Sequence, residues 1–301
     1  MITAIWRRSI VGLIAVLILG GSNLAVAEPI RSGFNLANLP AMDDASSTAI
    51  NLGFTVDLYG KSYNQVYVNE NGNISFTNPI AAFTPIPLAN STTPIIAPFF
   101  ADVDLSLAGD LSYGVGTIDG HNAFAATWSK VAHYSTSDDA NLRNDFQVVL
   151  IDRSDEHAGD FDIEFNYGII EWESGDFSGG VGGLAGDTAR VGISGGDAIA
   201  LHSHEAAGSG LAGALLSGGQ NDLSQTRSTW LIENGQLVSN RHEIDDPDPI
   251  DFPDEPTPGT GTLPEPATWS MLALGLMAVG RMRKLSRGES HNRRLLLAER
   301  G

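Results

Sequence analysis

The chain has 301 residues, 42% of them hydrophobic, with no cysteine and with 36 acidic against 17 basic residues, a formal charge of −19. The missing cysteines exclude a disulfide-stapled scaffold, a thiol nucleophile, thiolate zinc and an iron–sulfur cluster, and the acidity repels a phosphate backbone, so no nucleic acid is expected as a partner. The acidity is concentrated in Glu28–Thr262, which holds 33 acidic and 8 basic residues, a formal −25, a balance that suits divalent cations and cationic surfaces.

Met1–Ala27 opens with Arg7 and Arg8, continues through the apolar run Ile10–Leu19, and ends on Ala25-Val26-Ala27. This order of charge, apolar helix and small residues predicts a secretory signal peptide, residues 1–27, with cleavage specified by Ala25 and Ala27. Arg7-Arg8 also fits a minimal twin-arginine pattern, so the export route stays open between the general and the twin-arginine pathways.

From about residue 32 to 238 the periodicity is that of strands. Ile50, Leu52, Phe54, Val56 and Leu58 alternate with polar or small residues, as on a half-buried strand. Val66–Val68 and Ile74–Phe76 flank Asn69-Glu70-Asn71-Gly72, where the Asn-Gly pair supplies positive φ and predicts a hairpin. Further strands are expected around 111–115, 123–128, 146–151, 161–165, 190–193, 198–202 and 230–232, and one or two helical turns at 211–216. The glycine-rich stretch 175–186 reads as a loop. The sum is a mainly β, antiparallel, sandwich-like single domain over residues 28–240.

After it, residues 241–262 form an acidic, Pro-rich linker, which cannot bury apolar surface and reads as an extended stalk of roughly 3 Å per residue. Pro264-Glu265-Pro266 follows, then a 14-residue stretch, Ala267–Gly280, then Arg281-Met282-Arg283-Lys284. As a helix that stretch measures roughly 21 Å, short of the roughly 30 Å hydrocarbon core, although Trp269 and the basic cluster suit the two interfaces. A basic tail, 288–301, ends the chain. The tripeptide, short hydrophobic helix and basic cluster, residues 263–287, resemble the PEP-CTERM sorting signal of exported bacterial proteins. The resemblance implies export, a membrane-anchored stage through the C-terminal helix, and handover to an exosortase-type processing enzyme.

The body carries a second resemblance. Val66-Tyr67-Val68-Asn69-Glu70-Asn71-Gly72-Asn73-Ile74-Ser75-Phe76 and Ile95-Ile96-Ala97-Pro98-Phe99-Phe100-Ala101-Asp102-Val103-Asp104, with weaker echoes at 124–128, 144–150 and 161–167, resemble the NIDO (nidogen-like) domain across about residues 50–200. Phe100 stands where that family commonly has Trp. The resemblance implies an extracellular, non-catalytic domain of matrix or cell-adhesion proteins.

Several constellations compete with bland alternatives. Asp102-x-Asp104-x-Ser106 begins like an EF-hand loop, but Leu107 replaces the turning glycine and Tyr113 the bidentate glutamate, so an EF-hand is rejected. A looser calcium site of Asp102 and Asp104 helped by Asp110 stays open beside the alternative of turn-forming aspartates bonded to their own backbone. No other cofactor is expected. Asp160, Asp162 and Glu164 read as the solvated face of a strand. Glu171 and Glu173 around Trp172 have the composition of a glycosidase pair, whose carboxyls must stand about 5–9.5 Å apart, but two acids at this spacing on a strand are common. His202-x-His204 reads as a surface pair, and Tyr59, Tyr67 and Trp172 as core aromatics rather than glycan-stacking rings. The expectation is therefore an exported, surface-displayed or secreted, non-enzymatic bacterial matrix or adhesion protein. It would bind extracellular polysaccharide or surface proteins, within a biofilm for example. A calcium-dependent carbohydrate-binding module is the alternative, and a glycan hydrolase the least favoured reading.

Overall fold

The computed structural model describes residues 29–137 and 141–243. The signal peptide, the linker from residue 244, the sorting motif Pro264-Glu265-Pro266 and both terminal helices lie outside the described residues.

The described chain is built from fourteen strands: β1 (Ala37–Asn38), β2 (Ile50–Leu58), β3 (Lys61–Asn69), β4 (Asn73–Ser75), β5 (Ile95–Phe100), β6 (Val103–Asp104), β7 (Asp110–Ile118), β8 (His121–His133), β9 (Asn144–Asp152), β10 (Phe161–Ile170), β11 (Arg190–Ser194), β12 (Ser203–Glu205), β13 (Arg227–Glu233) and β14 (Gln236–Glu243). They form two antiparallel sheets. One runs β1-β7-β8-β9-β10-β13-β14 with β6 also paired to β8, and the other runs β12-β11-β5-β4-β3-β2. Among the described residues no helix is long and apolar enough to cross a membrane.

The period-2 signal locates the core. In β2, Leu52, Phe54, Val56 and Leu58 are buried while Asn51, Gly53 and Thr55 are exposed, as a strand with one covered face requires. Its apolar face meets side chains of the first sheet in one core that includes Val68, Phe99, Trp128, Phe146, Phe165 and Trp230. Phe99 on β5 packs 5.4 Å from Phe146 on β9 and edge-on to Trp172 at 5.8 Å, and the Tyr167 hydroxyl donates to the Pro98 carbonyl at 2.8 Å. These contacts join the sheets into a sandwich.

Both sheets are also covered on part of their outer faces. β5 is buried along its whole length, because Leu88 and Ile80 from the preceding loop pack on Ile95, Ala97 and Phe100. Phe34 covers Ala123, Ala125, Val149 and Ile151 on the other sheet.

Several local expectations change. Residues 200–202 are a 3-10 turn and the strand follows at Ser203–Glu205; residues 211–216 form turns without a helix. The acidic face of β10 is not solvated. Asp160 and Glu164 are 2% and 4% exposed, Arg31 lies 2.5 Å from Glu164 and Arg153 2.9 Å from Asp162. The N-terminal arm supplies the cation that covers Glu164, a partner too distant in sequence for strand periodicity to show. The glycine-rich loop is likewise tied down: Glu173 accepts the N–H of Ala185 at 3.0 Å and of Gly213 at 2.7 Å.

Candidate functional site

The hairpin between β3 and β4 is not an exposed turn. Asn69, Glu70, Asn71 and Asn73 are all essentially buried, and a buried polar group must find partners. Asn69 Nδ2 donates to Asn73 Oδ1 at 2.8 Å and to Ser75 Oγ at 2.9 Å, while its Oδ1 accepts from Ser46 Oγ and the Ile80 N–H. Asn71 Oδ1 accepts the Val103 N–H at 2.9 Å, and its Nδ2 donates to Asp44 Oδ1 at 2.8 Å. Gly72 has φ +71°, and a Cβ on it would stand 1.8 Å from the Phe99 carbonyl oxygen. Glycine here allows both the turn and the approach of β5.

Glu70 is the centre of this knot. Its Oε1 accepts the Leu105 N–H at 2.7 Å and its Oε2 the Ala45 N–H at 2.7 Å. Its carbonyl accepts the Trp128 indole N–H at 2.7 Å. The side chain therefore links the 43–47 segment, the hairpin and the chain after β6. Asp43 is brought in by an isolated bridge to Asp104, and Asp104 is held by the pairing of β6 with Ala132 and His133 at the end of β8. The pairing of β8 with β9 is irregular between Trp128 and Val131, where Lys130 adopts φ +50°. It falls where β8 exchanges β7 for β6 as neighbour.

One carboxylate oxygen from each of Asp43, Glu70 and Asp104 lies within 4.8 Å of the others. Asp43 is exposed, whereas Glu70 and Asp104 are buried. Asp104 Oδ1 accepts both the N–H and the hydroxyl of Ser106. Asp102 is 2% exposed, and its Oδ2 has no hydrogen-bond partner among the described residues.

The electrostatics follow from burial and like charge. Burial pushes the Glu70 carboxyl up to about 8, against the two backbone N–H donors that favour its ionised form. Burial, then the charges of Asp43, Asp44 and Asp104, raise Asp102 to about 7. Asp43 rises to about 6 through burial, then Asp104 and Asp44. The ion pairs formed among the described residues engage other carboxylates.

Asp102 and Asp104, singled out from their spacing, thus sit where negative charge accumulates. Asp110 is exposed at the start of β7, opposite Ser129, and is not one of the grouped carboxylates. Glu70 and Asp43 were missed as candidates. Glu70 is the charged residue in an otherwise amide-rich turn between apolar strands, which was a usable signal; Asp43 carries none.

Beside this group Tyr134 stacks on Phe177 at 4.7 Å, with Phe83 6.4 Å from Phe177, and Phe177 is 65% exposed. Burial and the charges of Asp43, Asp104 and Asp102 raise the Tyr134 phenol. The backbone N–H of Tyr134 donates to the Asp102 carbonyl at 2.9 Å. The rings weighed from sequence are elsewhere: Trp172 is wholly buried with its N–H on the Val131 carbonyl, and Tyr59 is 6% exposed under His202, which also binds Asp197. Glu171 and Glu173 already accept backbone N–H groups, from Arg143 and from Ala185 and Gly213. They act as loop anchors on either side of a buried ring.

The two covered sheets and the buried amide–carboxylate hairpin define an antiparallel β-sandwich domain with an acidic site at one hairpin. The NIDO-related family model matches residues 27–220, more than half of the sequence, and the chain belongs to that family. It is similar to alpha-tectorin of Homo sapiens (32% identical over 188 residues), of Mus musculus (33%) and of Gallus gallus (34%). The matches cover 54% of this chain but only 8–9% of the relatives' length. No solved structure gives a significant match.

Proposed function

We propose that this chain is an exported, non-enzymatic matrix or adhesion protein of a bacterium, in which the NIDO-related domain binds extracellular polymer or surface proteins. The observation that carries the reading is the family match along nearly the whole β body, residues 27–220, a family whose resemblance implies extracellular, non-catalytic work. The similarity to alpha-tectorin over 188 residues supports it. The leader at 1–27 supports export, and the sorting signal at 263–287 supports a membrane-held stage and recognition by an exosortase-type enzyme. A calcium-dependent carbohydrate-binding module is the second reading, favoured by the exposed Phe177 ring stacked on the half-buried Tyr134 near the carboxylate group, since a ring face and a cation are two common ways of holding a sugar.

Fractionation of the host followed by mass spectrometry tests the address. The mature chain is expected at the cell surface or in the medium, starting at Glu28 and, after processing, ending near Pro264–Pro266. Recovery in the cytoplasm with an intact N-terminus would contradict the proposal.

A further inference from the structure

We propose that the exposed ring of Phe177, stacked on Tyr134 and flanked by Asp176 and Asp187, is the docking surface for an amine-bearing polysaccharide, a hexosamine polymer with free amino groups. The inference rests on the reading of the domain as a polymer binder and gives that reading a site and a ligand class. Phe177 is 65% exposed. One face of its ring lies on Tyr134, 4.7 Å away and 22° from parallel, so the exposed part is the opposite face and the edge.

Both neighbours of Phe177 in sequence hold the ring outward. The Asp176 N–H donates to the Tyr134 carbonyl at 3.1 Å, and Asp176 Oδ2 accepts the Thr136 N–H at 2.7 Å and its hydroxyl at 2.8 Å. Ser178 is 2% exposed; its N–H donates to the Gly175 carbonyl at 3.1 Å, and its carbonyl accepts the Asp187 N–H at 2.7 Å. A large apolar ring left in water gains free energy when a ligand covers it, and a ring fixed in advance loses little conformational entropy in doing so.

Size and charge name the occupant. Even with Val181 and Leu184, exposed further along the loop, the apolar surface falls short of the about 800 Å² per partner of a stable protein interface. A small unit repeated along a polymer suits it better than a second copy or a folded protein. The ring face carries the negative end of the aromatic quadrupole, which attracts the polarised C–H groups of a sugar ring and an ammonium within about 6 Å. The rim has the same sign. Among the described residues neither Asp176 nor Asp187 forms an ion pair. Hydrogen bonds from the Thr136 backbone and hydroxyl hold the Asp176 carboxyl below the ordinary carboxylate range. Its bonds to Thr136 and Ser135 all run to Oδ2, which leaves Oδ1 for a ligand hydroxyl or ammonium. The acidic excess of the body repels uronate, sulfate and phosphate polymers, whereas an ammonium-bearing sugar chain complements both ring and rim.

The test is calorimetric titration of a glucosamine hexamer into the full chain in the presence of chelator, with an N-acetylglucosamine hexamer and a uronic acid oligomer as comparison ligands. Co-sedimentation with matrix isolated from the host runs in parallel. The parent is expected to bind the glucosamine hexamer, the N-acetylated hexamer more weakly and the uronate not at all. The acidic stalk also attracts a cationic oligomer, so variants decide the outcome. Phe177→Ala removes an exposed side chain, so its unfolding temperature is expected within about 2 °C of the parent's, while its affinity for the glucosamine hexamer falls about tenfold or more. Asp176→Asn keeps an acceptor for Thr136 and is expected to lose affinity chiefly at low salt. Val238→Ala, which trims an exposed apolar residue on β14, is expected to bind like the parent. Equal affinity in Phe177→Ala and the parent overturns the proposal, as does a preference for the uronate, the absence of binding heat with the glucosamine hexamer, or a Phe177-dependent dimer that binds no glycan. Equal sedimentation of Phe177→Ala and the parent with the matrix overturns the site and leaves the domain a polymer binder through another surface. A parent that stays in the supernatant overturns the polymer reading itself.

Discussion

Gly72→Ala is expected to destabilise the domain by about 4 kcal/mol or more, lowering the unfolding temperature by roughly 8–16 °C for a domain of this size. Two costs add. Gly72 sits at φ +71°, where a side chain costs about 1–2 kcal/mol. The larger cost is steric: the new Cβ would lie 1.8 Å from the Phe99 carbonyl oxygen and 2.6 Å from its carbon. Those are backbone atoms of a central strand, so relief requires β5 to move away from the hairpin. The N–H of Phe99 donates to the Gly72 carbonyl at 3.2 Å and that of Ala101 to the Asn71 carbonyl at 3.3 Å, and such a movement breaks both. Gly120→Ala separates the two costs. Gly120 has φ +89° with nothing within 4 Å of a Cβ, so only the backbone strain applies, about 1–2 kcal/mol. Denaturant unfolding of both variants checks the pair; equal losses would mean that the close approach of β5 contributes nothing.

Trp128→Ala is expected to cost about 3–5 kcal/mol, and the cause lies in its position between the sheets. Trp128 is wholly buried on β8 and stacks on Phe146 at 5.0 Å. Its indole N–H reaches the Glu70 carbonyl at 2.7 Å, which makes it the contact through which the first sheet holds the buried hairpin. Trp128→Phe keeps one aromatic ring in the core, loses the donor and leaves the space of the second ring unfilled. The Glu70 carbonyl retains the Gly72 N–H at 2.7 Å, so that change should cost about 2 kcal/mol, about half from the lost hydrogen bond and half from the unfilled space. Urea unfolding should therefore rank the two variants widely apart. Similar losses would assign the effect to the hydrogen bond and not to the packing.

How much of this was legible in the sequence depends on the range of the contact. Alternation in β2 and the Asn-Gly turn are local signals, and the strands appear where they place them. The edge near residues 198–205 shifted because Ile199 and Leu201, whose alternate spacing suggests a strand, are exposed in a short turn. The β10 acids looked solvated because their covering arginine, Arg31, is remote in sequence. The same limit shaped the acidic site. Asp102 and Asp104 are two residues apart and visible together, whereas Asp43 reaches Asp104 only through an isolated bridge, and Glu70 only because a buried turn inserts between two segments. Asp110 was the nearest acid in sequence, yet β7 carries it to a register opposite Ser129. Burial was the other hidden quantity: a tryptophan between two glutamates suggests a sugar platform until Val131 and Phe99 are seen to enclose it.

The central claim is that an extracellular domain binds polymer or surface partners without chemistry. Co-sedimentation of the purified full chain with extracellular matrix isolated from its host tests it most directly, with the polymer's length followed in the same samples. The account predicts saturable retention of the protein in the pellet and polymer of unchanged length. Protein that stays in the supernatant, or polymer that shortens with time, would contradict it.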